Sequence, residues 1–252
     1  MSGTETRALV VELCGLPGAG KTTVAGQLAT GLADRGVTAQ VVDRGVSADR
    51  PRVARLSRKA TALARAVAAD PRGALAAARL LGSDQPSGRD AVALPVQWWV
   101  ARDVLARSRR LTGVAIAEEG LVQALWSAWL LKLGGPADEL VRVAEAALTA
   151  DLVVHLDVPP HVALGRLQSR QSRHSRVQRM ESEEQVAVLE AGNALLHRLL
   201  DQWRSNNLGQ VLVVDGQKPD VGRRLADLIA APGRLRGTRL LGEQASVRPP
   251  SL

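Results

Sequence analysis

Phenylalanine and tyrosine are absent from this 252-residue chain, and cysteine occurs once. Without Phe or Tyr, stacking against a planar ligand falls to five Trp, four His and the planes of Arg guanidiniums. A single Cys14 excludes an intramolecular disulfide and fits a reducing compartment. Long hydrophobic runs are missing as well. The apolar stretch 8–13 is interrupted by Glu12 and runs into a glycine-rich turn, which does not read as a signal peptide. The longest uncharged run, 120–131, falls short of the roughly 20 apolar residues a bilayer span needs. The expectation is a cytoplasmic protein with no membrane partner. Lysine is also scarce: of 33 basic residues four are Lys and 29 are Arg, and the net charge is +8. That excess points to an anionic partner, with nucleic acid as the first guess.

What remains is ample for a core. Hydrophobic residues make up 46% and charged residues 23%, which excludes disordered, collagen-like and small disulfide-stapled classes. Residues 8–14 (ALVVELC) read as a buried parallel strand, 21–35 as a helix ended by Gly36, and 38–43 as a second strand. This is the order of a βαβ unit with its right-handed crossover. Segment 50–110 reads as three helices broken at Pro71 and at 82–88. Strands follow at 113–117, 151–156 and 210–214. Helices are expected over 120–133, from Pro136 to 148, and over 159–170, 181–204 and 219–230. The expected fold is therefore α/β: a doubly wound, five-stranded parallel sheet. Residues 1–231 form one domain, and the Gly-, Pro- and Arg-rich segment 232–252 reads as a mobile tail. In such folds ligands sit beyond the carboxyl ends of the strands.

One motif there is specific. Gly15-Leu16-Pro17-Gly18-Ala19-Gly20-Lys21-Thr22, followed by Thr23, matches G-x-x-x-x-G-K-[ST] between a strand and a helix. Small residues let successive backbone N–H groups turn in around phosphate, and the helix adds its positive end. Lys21 is placed to reach the β- and γ-phosphates and Thr22 to ligate Mg²⁺. No N-K-x-D guanine motif and no L-S-G-G-Q signature accompanies it. Downstream, Arg166, Arg170, Arg173, Arg176 and Arg179 fall within fourteen acid-free residues, a run of +5 that demands an anion or a solvated face. Fixed arginines of this kind stabilise a migrating phosphoryl group.

These segments resemble the thymidylate kinases and deoxynucleoside kinases. The start from Leu9 to Arg35 is similar to theirs. So are Leu156-Asp157-Val158-Pro159-Pro160 with Val162-Ala163-Leu164, Arg166, Arg170 and Arg176, and Val213-Val214-Asp215-Gly216-Gln217-Lys218-Pro219. The resemblance implies P-loop nucleotide-kinase topology, ATP as donor and Mg²⁺ as cofactor. It implies an arginine-bearing lid at about 166–181 and a loop at Gln217 and Lys218 covering the adenine. A homodimer is an assembly common among such kinases.

The acceptor side departs from both families. Pro17 stands where thymidylate kinases carry an acid, Asp43-Arg44-Gly45 replaces Arg-Glu-Pro, and Glu118-Glu119-Gly120 replaces Asp-Arg. Deoxynucleoside kinases carry Glu-Arg-Ser at this last place, so Glu118 agrees and Glu119 does not. Three roles are open to Glu118: a Mg²⁺-shell acid, a base toward the acceptor hydroxyl, or, with Glu119, an N-terminal complement to the next helix. Asp43 and Arg44 are candidates for the acceptor or for a salt-bridged loop. Gln97, Trp98, Trp99 and Arg102 are candidates for base recognition on the resemblance, with two core tryptophans as the alternative. Trp126, Trp129 and Trp203 read as packing and Cys14 as a small buried hydrophobe. His155, His161, His174 and His197 show no metal-ligand spacing. Segment 44–79 carries a net +7 and would lie over the acceptor side. The expected activity is transfer of the γ-phosphoryl of ATP to a small acceptor, a nucleoside or nucleotide. The alternatives are another hydroxylated metabolite as acceptor and an ATPase switch on nucleic acid.

Overall fold

A computed structural model of the chain describes residues 7–45, 51–130, 144, 147–169, 177, 180 and 182–231, the side chains of 182 and 183 aside. Five strands form one sheet: β1 (Leu9–Cys14), β2 (Ala39–Val41), β3 (Val114–Ala117), β4 (Leu152–Asp157) and β5 (Gln210–Asp215). All four pairings are parallel and the order is β2-β3-β1-β4-β5. The expected doubly wound sheet is present, with each strand within two residues of its sequence assignment at either end. The three interior strands β3, β1 and β4 are almost wholly buried, as strands covered on both faces must be. The edge strands β2 and β5 are partly exposed.

Helix α1 (Lys21–Ala33) follows the glycine loop. The three helices expected over 50–110 are α2 (Arg52–Ala69), α3 (Pro71–Gly82) and α4 (Gly88–Ser108). After β3 comes α5 (Leu121–Leu130). Helices α6 (Pro160–Gln168) and α7 (Ser182–Ser205) lie between β4 and β5, and α8 (Val221–Ala230) closes the described part. Helices α1 and α8 pack together on one face, while α4, α5 and α7 pack in series on the other. No described helix is long and apolar enough to cross a membrane. The helix expected from Pro136 falls almost wholly outside the described residues, and segment 232–252 lies outside them entirely.

Local chemistry sets the element ends. Asp70 accepts from the Gly73 N–H and Pro71 takes the first position of α3, so a side-chain cap and a missing donor coincide. Ser87 caps α4 by accepting from the Asp90 N–H at 3.1 Å. Helix α4 runs through Pro95, and Gly82 lets α3 approach it there: a Cβ on Gly82 would stand 2.7 Å from the Ala91 carbonyl. The tryptophans anchor the layers. Trp203 and Trp98 are fully buried, and the Trp126 indole donates to the Gly192 carbonyl at 2.7 Å where α5 meets α7. Glycine is required at 192, because a Cβ would sit 2.9 Å from that indole.

Candidate functional site

The carboxyl ends of the strands gather the motif residues on one edge of the sheet. Between β1 and α1 the loop turns through Gly18 at φ 91° and Gly20 at φ 94°, a region that favours glycine. A Cβ on Gly18 would lie 2.3 Å from the Ala163 carbonyl of α6, so the loop also needs glycine for close approach. Lys21 reaches back over the loop and donates to the carbonyls of Gly15 (2.9 Å) and Leu16 (3.2 Å). Pro17 and Ala19 lie in the loop, with Ala19 buried. Thr22 and Thr23 open α1 with exposed side chains.

Across the mouth, the Thr22 hydroxyl donates to Glu118 Oε2 at 2.8 Å. The role of helix complement at α5 belongs to Glu12 instead. Its carboxylate, fully buried in β1, accepts from the backbone N–H groups of Leu121 (3.0 Å), Val122 (2.8 Å) and Gln123 (3.3 Å). A buried carboxylate at a helix N-terminus meets orphan donors and the positive end of the dipole. Burial still wins, and pushes the Glu12 carboxyl up to about 7 against the lowering effect of those N–H bonds. Gly120 makes room, since a Cβ there would stand 2.4 Å from the carboxylate. Gln123, next along α5, accepts from the Gly15 N–H at 3.2 Å and so ties this helix to the glycine loop. In the sequence Glu12 reads only as an interruption of an apolar strand. The signal for its role was a buried acid two residues before a strand end, with a glycine before a distant helix.

Arg166, at the end of α6, lies between two loops. Its guanidinium is within 3.5 Å of the carbonyls of Ala19 and Gly216. The turn after β5 is shaped by Asp215, which accepts from the Gln217 N–H at 2.9 Å, and Gln217 and Lys218 are both exposed. Arg166 is thus brought to the glycine loop and the 216 turn together. Arg170, Arg173, Arg176 and Arg179 of the expected lid, and His174, lie outside the described residues.

On the other flank Arg44, after β2, forms an ion pair with Glu119, after β3. Asp43 accepts from the Gly45 N–H at 2.7 Å, which rounds the turn. The Arg44 carbonyl accepts from Arg58 of α2 at 3.3 Å. Arg58 in turn meets Asp103 of α4, as do Arg65 (2.8 Å) and Arg107 (3.2 Å). Burial raises the Asp103 carboxyl, but hydrogen bonds from Arg65 and Arg58 and their charges outweigh it and hold the group below the usual carboxylate range. Three basic residues of the 44–79 segment expected over the acceptor side, Arg44, Arg58 and Arg65, are therefore engaged by acids. Asp103 was invisible in the sequence, because only α2 packed on α4 brings the arginines to it.

Gln97 and Arg102 lie on α4, half-buried. Trp98 is 1% exposed and Trp99 8%. Both rings are packed in the core, so the structure does not support Trp98 as a stacking surface open to a ligand. The reason is geometric: α4 is covered by α2, α3 and α5, which leaves neither successive side chain at an open cleft. Cys14 is fully buried and its thiol is raised by burial, as a small hydrophobe would be.

No known sequence family matches this chain, and no curated protein sequence does either. Solved structures do match in fold. The deoxyadenosine kinase of M. mycoides with bound dATP superposes with a TM-score of 0.51 at 15% identity, covering 86% of this chain and 96% of that one. The same enzyme with products dCMP and a flexible dCDP gives 0.50 at 13% identity, over 86% and 95%. The chain has the P-loop fold of these deoxynucleoside kinases.

Proposed function

We propose that this chain is an ATP- and Mg²⁺-dependent phosphotransferase acting on a small acceptor, a nucleoside or nucleotide. The observation that carries the reading is the Thr22–Glu118 hydrogen bond at the mouth of the glycine loop, with Lys21 on the same loop. A hydroxyl and a carboxylate 2.8 Å apart are hard oxygen donors, the set that Mg²⁺ takes. Thr22 and Glu118 would hold the ion, which supplies charge neutralisation between the phosphates.

The chain's own groups then have these roles. The backbone amides of Gly18 and of Gly20 to Thr23 cradle the phosphates, while Gly15, Leu16, Pro17 and Ala19 shape the loop that presents them. Lys21 exchanges its loop carbonyls for β- and γ-phosphate oxygens. Arg166, already between the loop and Gly216, counters charge on the transferred group, and Arg170 and Arg176 join it. Gln217 and Lys218 cover the donor base. Glu118 is also the acid assigned to take a proton from an acceptor hydroxyl.

A nucleoside acceptor is favoured by the neighbours in fold, whose ligands are deoxynucleotides. The Arg44–Glu119 pair supports the same reading. Glu119 stands where deoxynucleoside kinases carry an arginine, and Arg44 brings a guanidinium to that place from the neighbouring strand end. Asp43, beside Arg44 in the turn after β2, and Gln97 and Arg102 on α4 are assigned to the acceptor on the resemblance to deoxynucleoside kinases. Nucleic acid is the weaker reading, since Asp103 and Glu119 already engage arginines of the basic segment.

The test is an acceptor screen with γ-labelled ATP over nucleosides, nucleotides and sugars, with Lys21→Ala as the inactive reference. Label transfer to a nucleoside or nucleotide, lost in Lys21→Ala, is the expected result. ATP binding that depends on Lys21 but no transfer to any acceptor overturns the kinase reading.

A further inference from the structure

A second cluster lies behind the glycine loop, on the face of the sheet covered by α7, and the activity proposed above makes no use of it. His155 sits in the middle of the sheet, paired in register with Cys14 of β1 and Val213 of β5, and is fully buried. Neither of its ring nitrogens has a hydrogen-bond partner among the described residues. A neutral imidazole carries one donor and one acceptor, and both are stranded here, whereas buried polar atoms in native interiors meet a protein group, a water or an ion.

Two other side chains close on it. Asp157 is two residues along β4 and so projects from the same face. His197 comes from α7, its ring edge-on to His155 at 81° with centroids 5.0 Å apart. One ligand atom from each of the three lies within 4.8 Å of the others. They do not satisfy one another: His197 Nε2 stands 3.9 Å from Asp157 Oδ1, beyond a hydrogen bond. Around a tetrahedral ion with bonds of 2.0–2.2 Å, ligand atoms stand about 3.4 Å apart. His197 and Asp157 each have a side chain 44% exposed, so both have freedom to close the remaining distance while His155 stays fixed in the sheet.

We propose that His155, Asp157 and His197 form a binding site for a borderline divalent transition metal of the Zn²⁺ class, with solvent completing a tetrahedral shell. Two imidazoles and one carboxylate suit Zn²⁺ or Co²⁺ and not Mg²⁺, which prefers oxygen alone. The site is separate from the Thr22–Glu118 pair and does not depend on the phosphotransferase reading.

The place of the cluster gives the metal a consequence. The Asp157 carbonyl accepts from the Gly216 N–H at 2.8 Å, and a Cβ on Gly15 would meet the Leu156 carbonyl at 2.9 Å. Fixing the end of β4 therefore fixes the backbone beneath both the glycine loop and the 216 turn.

The experiment uses the full chain without an affinity tag, stripped with chelator and titrated with Co²⁺. Expected are visible d–d bands of tetrahedral intensity that saturate at one equivalent, displacement by Zn²⁺, and no change with millimolar Mg²⁺. His197→Ala and Asp157→Asn, both at solvent-reached positions, should lower Co²⁺ affinity at least tenfold and abolish the tetrahedral bands. Their melting temperatures in chelator should match that of the parent chain. Zn²⁺ should raise the melting temperature of the parent chain and not of the variants. The proposal is overturned by absence of a one-equivalent complex, by displacement with Mg²⁺, or by unchanged spectra in both variants. Because the readout is metal binding, its failure is independent of any failure to find an acceptor.

Discussion

The Thr22 hydroxyl donates to Glu118 Oε2 at 2.8 Å across 96 residues of sequence. This bond links the helix that follows the glycine loop to the end of β3. It assigns Glu118 a partner at the loop mouth, while the helix start beside it is occupied by Glu12. Glu118→Gln keeps a hydrogen-bonding group there and removes the charge. Under the phosphotransferase reading it should lower turnover about 10² to 10⁴-fold, with ATP affinity without Mg²⁺ unchanged. Parallel measurements of label transfer and of metal-free nucleotide binding check this, and a variant with full turnover would remove Glu118 from the reaction.

Glu12 gives stability a pH dependence opposite to that of most acids. Its carboxyl is raised from 4.5 to about 7 by burial. Between those values the native state keeps a proton that the unfolded chain has lost. Stability from this group is therefore full below pH 4.5, declines as pH rises to about 7, and is flat above. The size is on the order of 3 kcal/mol. Glu12→Gln should be least tolerated at low pH, and its deficit relative to the parent should shrink as pH rises through the window. Urea midpoints at half-unit pH steps measure this; a deficit independent of pH would show that Glu12 stays ionised.

Asp103 follows the usual sign. Its carboxyl is held below 3.8, so its stabilisation is present above that value and disappears as pH falls through the lowered one. Asp103→Asn leaves three guanidiniums converging on a neutral group. The cost should be about 2–3 kcal/mol, under the range for fully buried pairs because Arg65 and Arg107 reach solvent. Equilibrium unfolding of the single variant, and of the variant combined with Arg58→Met, gives the coupling.

Two glycines separate backbone strain from close packing. Gly18 at φ 91° also abuts the Ala163 carbonyl, whereas Gly36 at φ 72° has open space where a Cβ would go. Gly36→Ala should cost about 1 kcal/mol of stability and leave nucleotide binding intact. Gly18→Ala should push the glycine loop from α6 and lower ATP affinity more than tenfold. Calorimetric titration of both variants tests the contrast.

Some of this protein could be read along the chain because the relevant physics is local. The interior strands announced themselves as short apolar runs, since strands covered on both faces need no alternation. The glycine loop was legible because a tight turn through positive φ, packed against a neighbouring carbonyl, demands glycine at adjacent positions. Lys21 and Thr22 come with it, being one turn from the loop they serve.

The rest depends on which distant positions the parallel crossovers bring side by side. Nothing near Glu118 in sequence names Thr22, and nothing near Asp103 names Arg58 or Arg65. Trp98 and Trp99 are a pair that composition alone makes available for stacking; packing of α4 beneath α2, α3 and α5 buries them both. His155 and His197 have no ligand spacing along the chain, but one lies in β4 and the other on the helix covering it. A sheet turns sequence separation into adjacency, so pairings of charges, histidines and buried acids are properties of the register and the layers. The local code names the glycine loop; assembly of the layers supplies the groups around it.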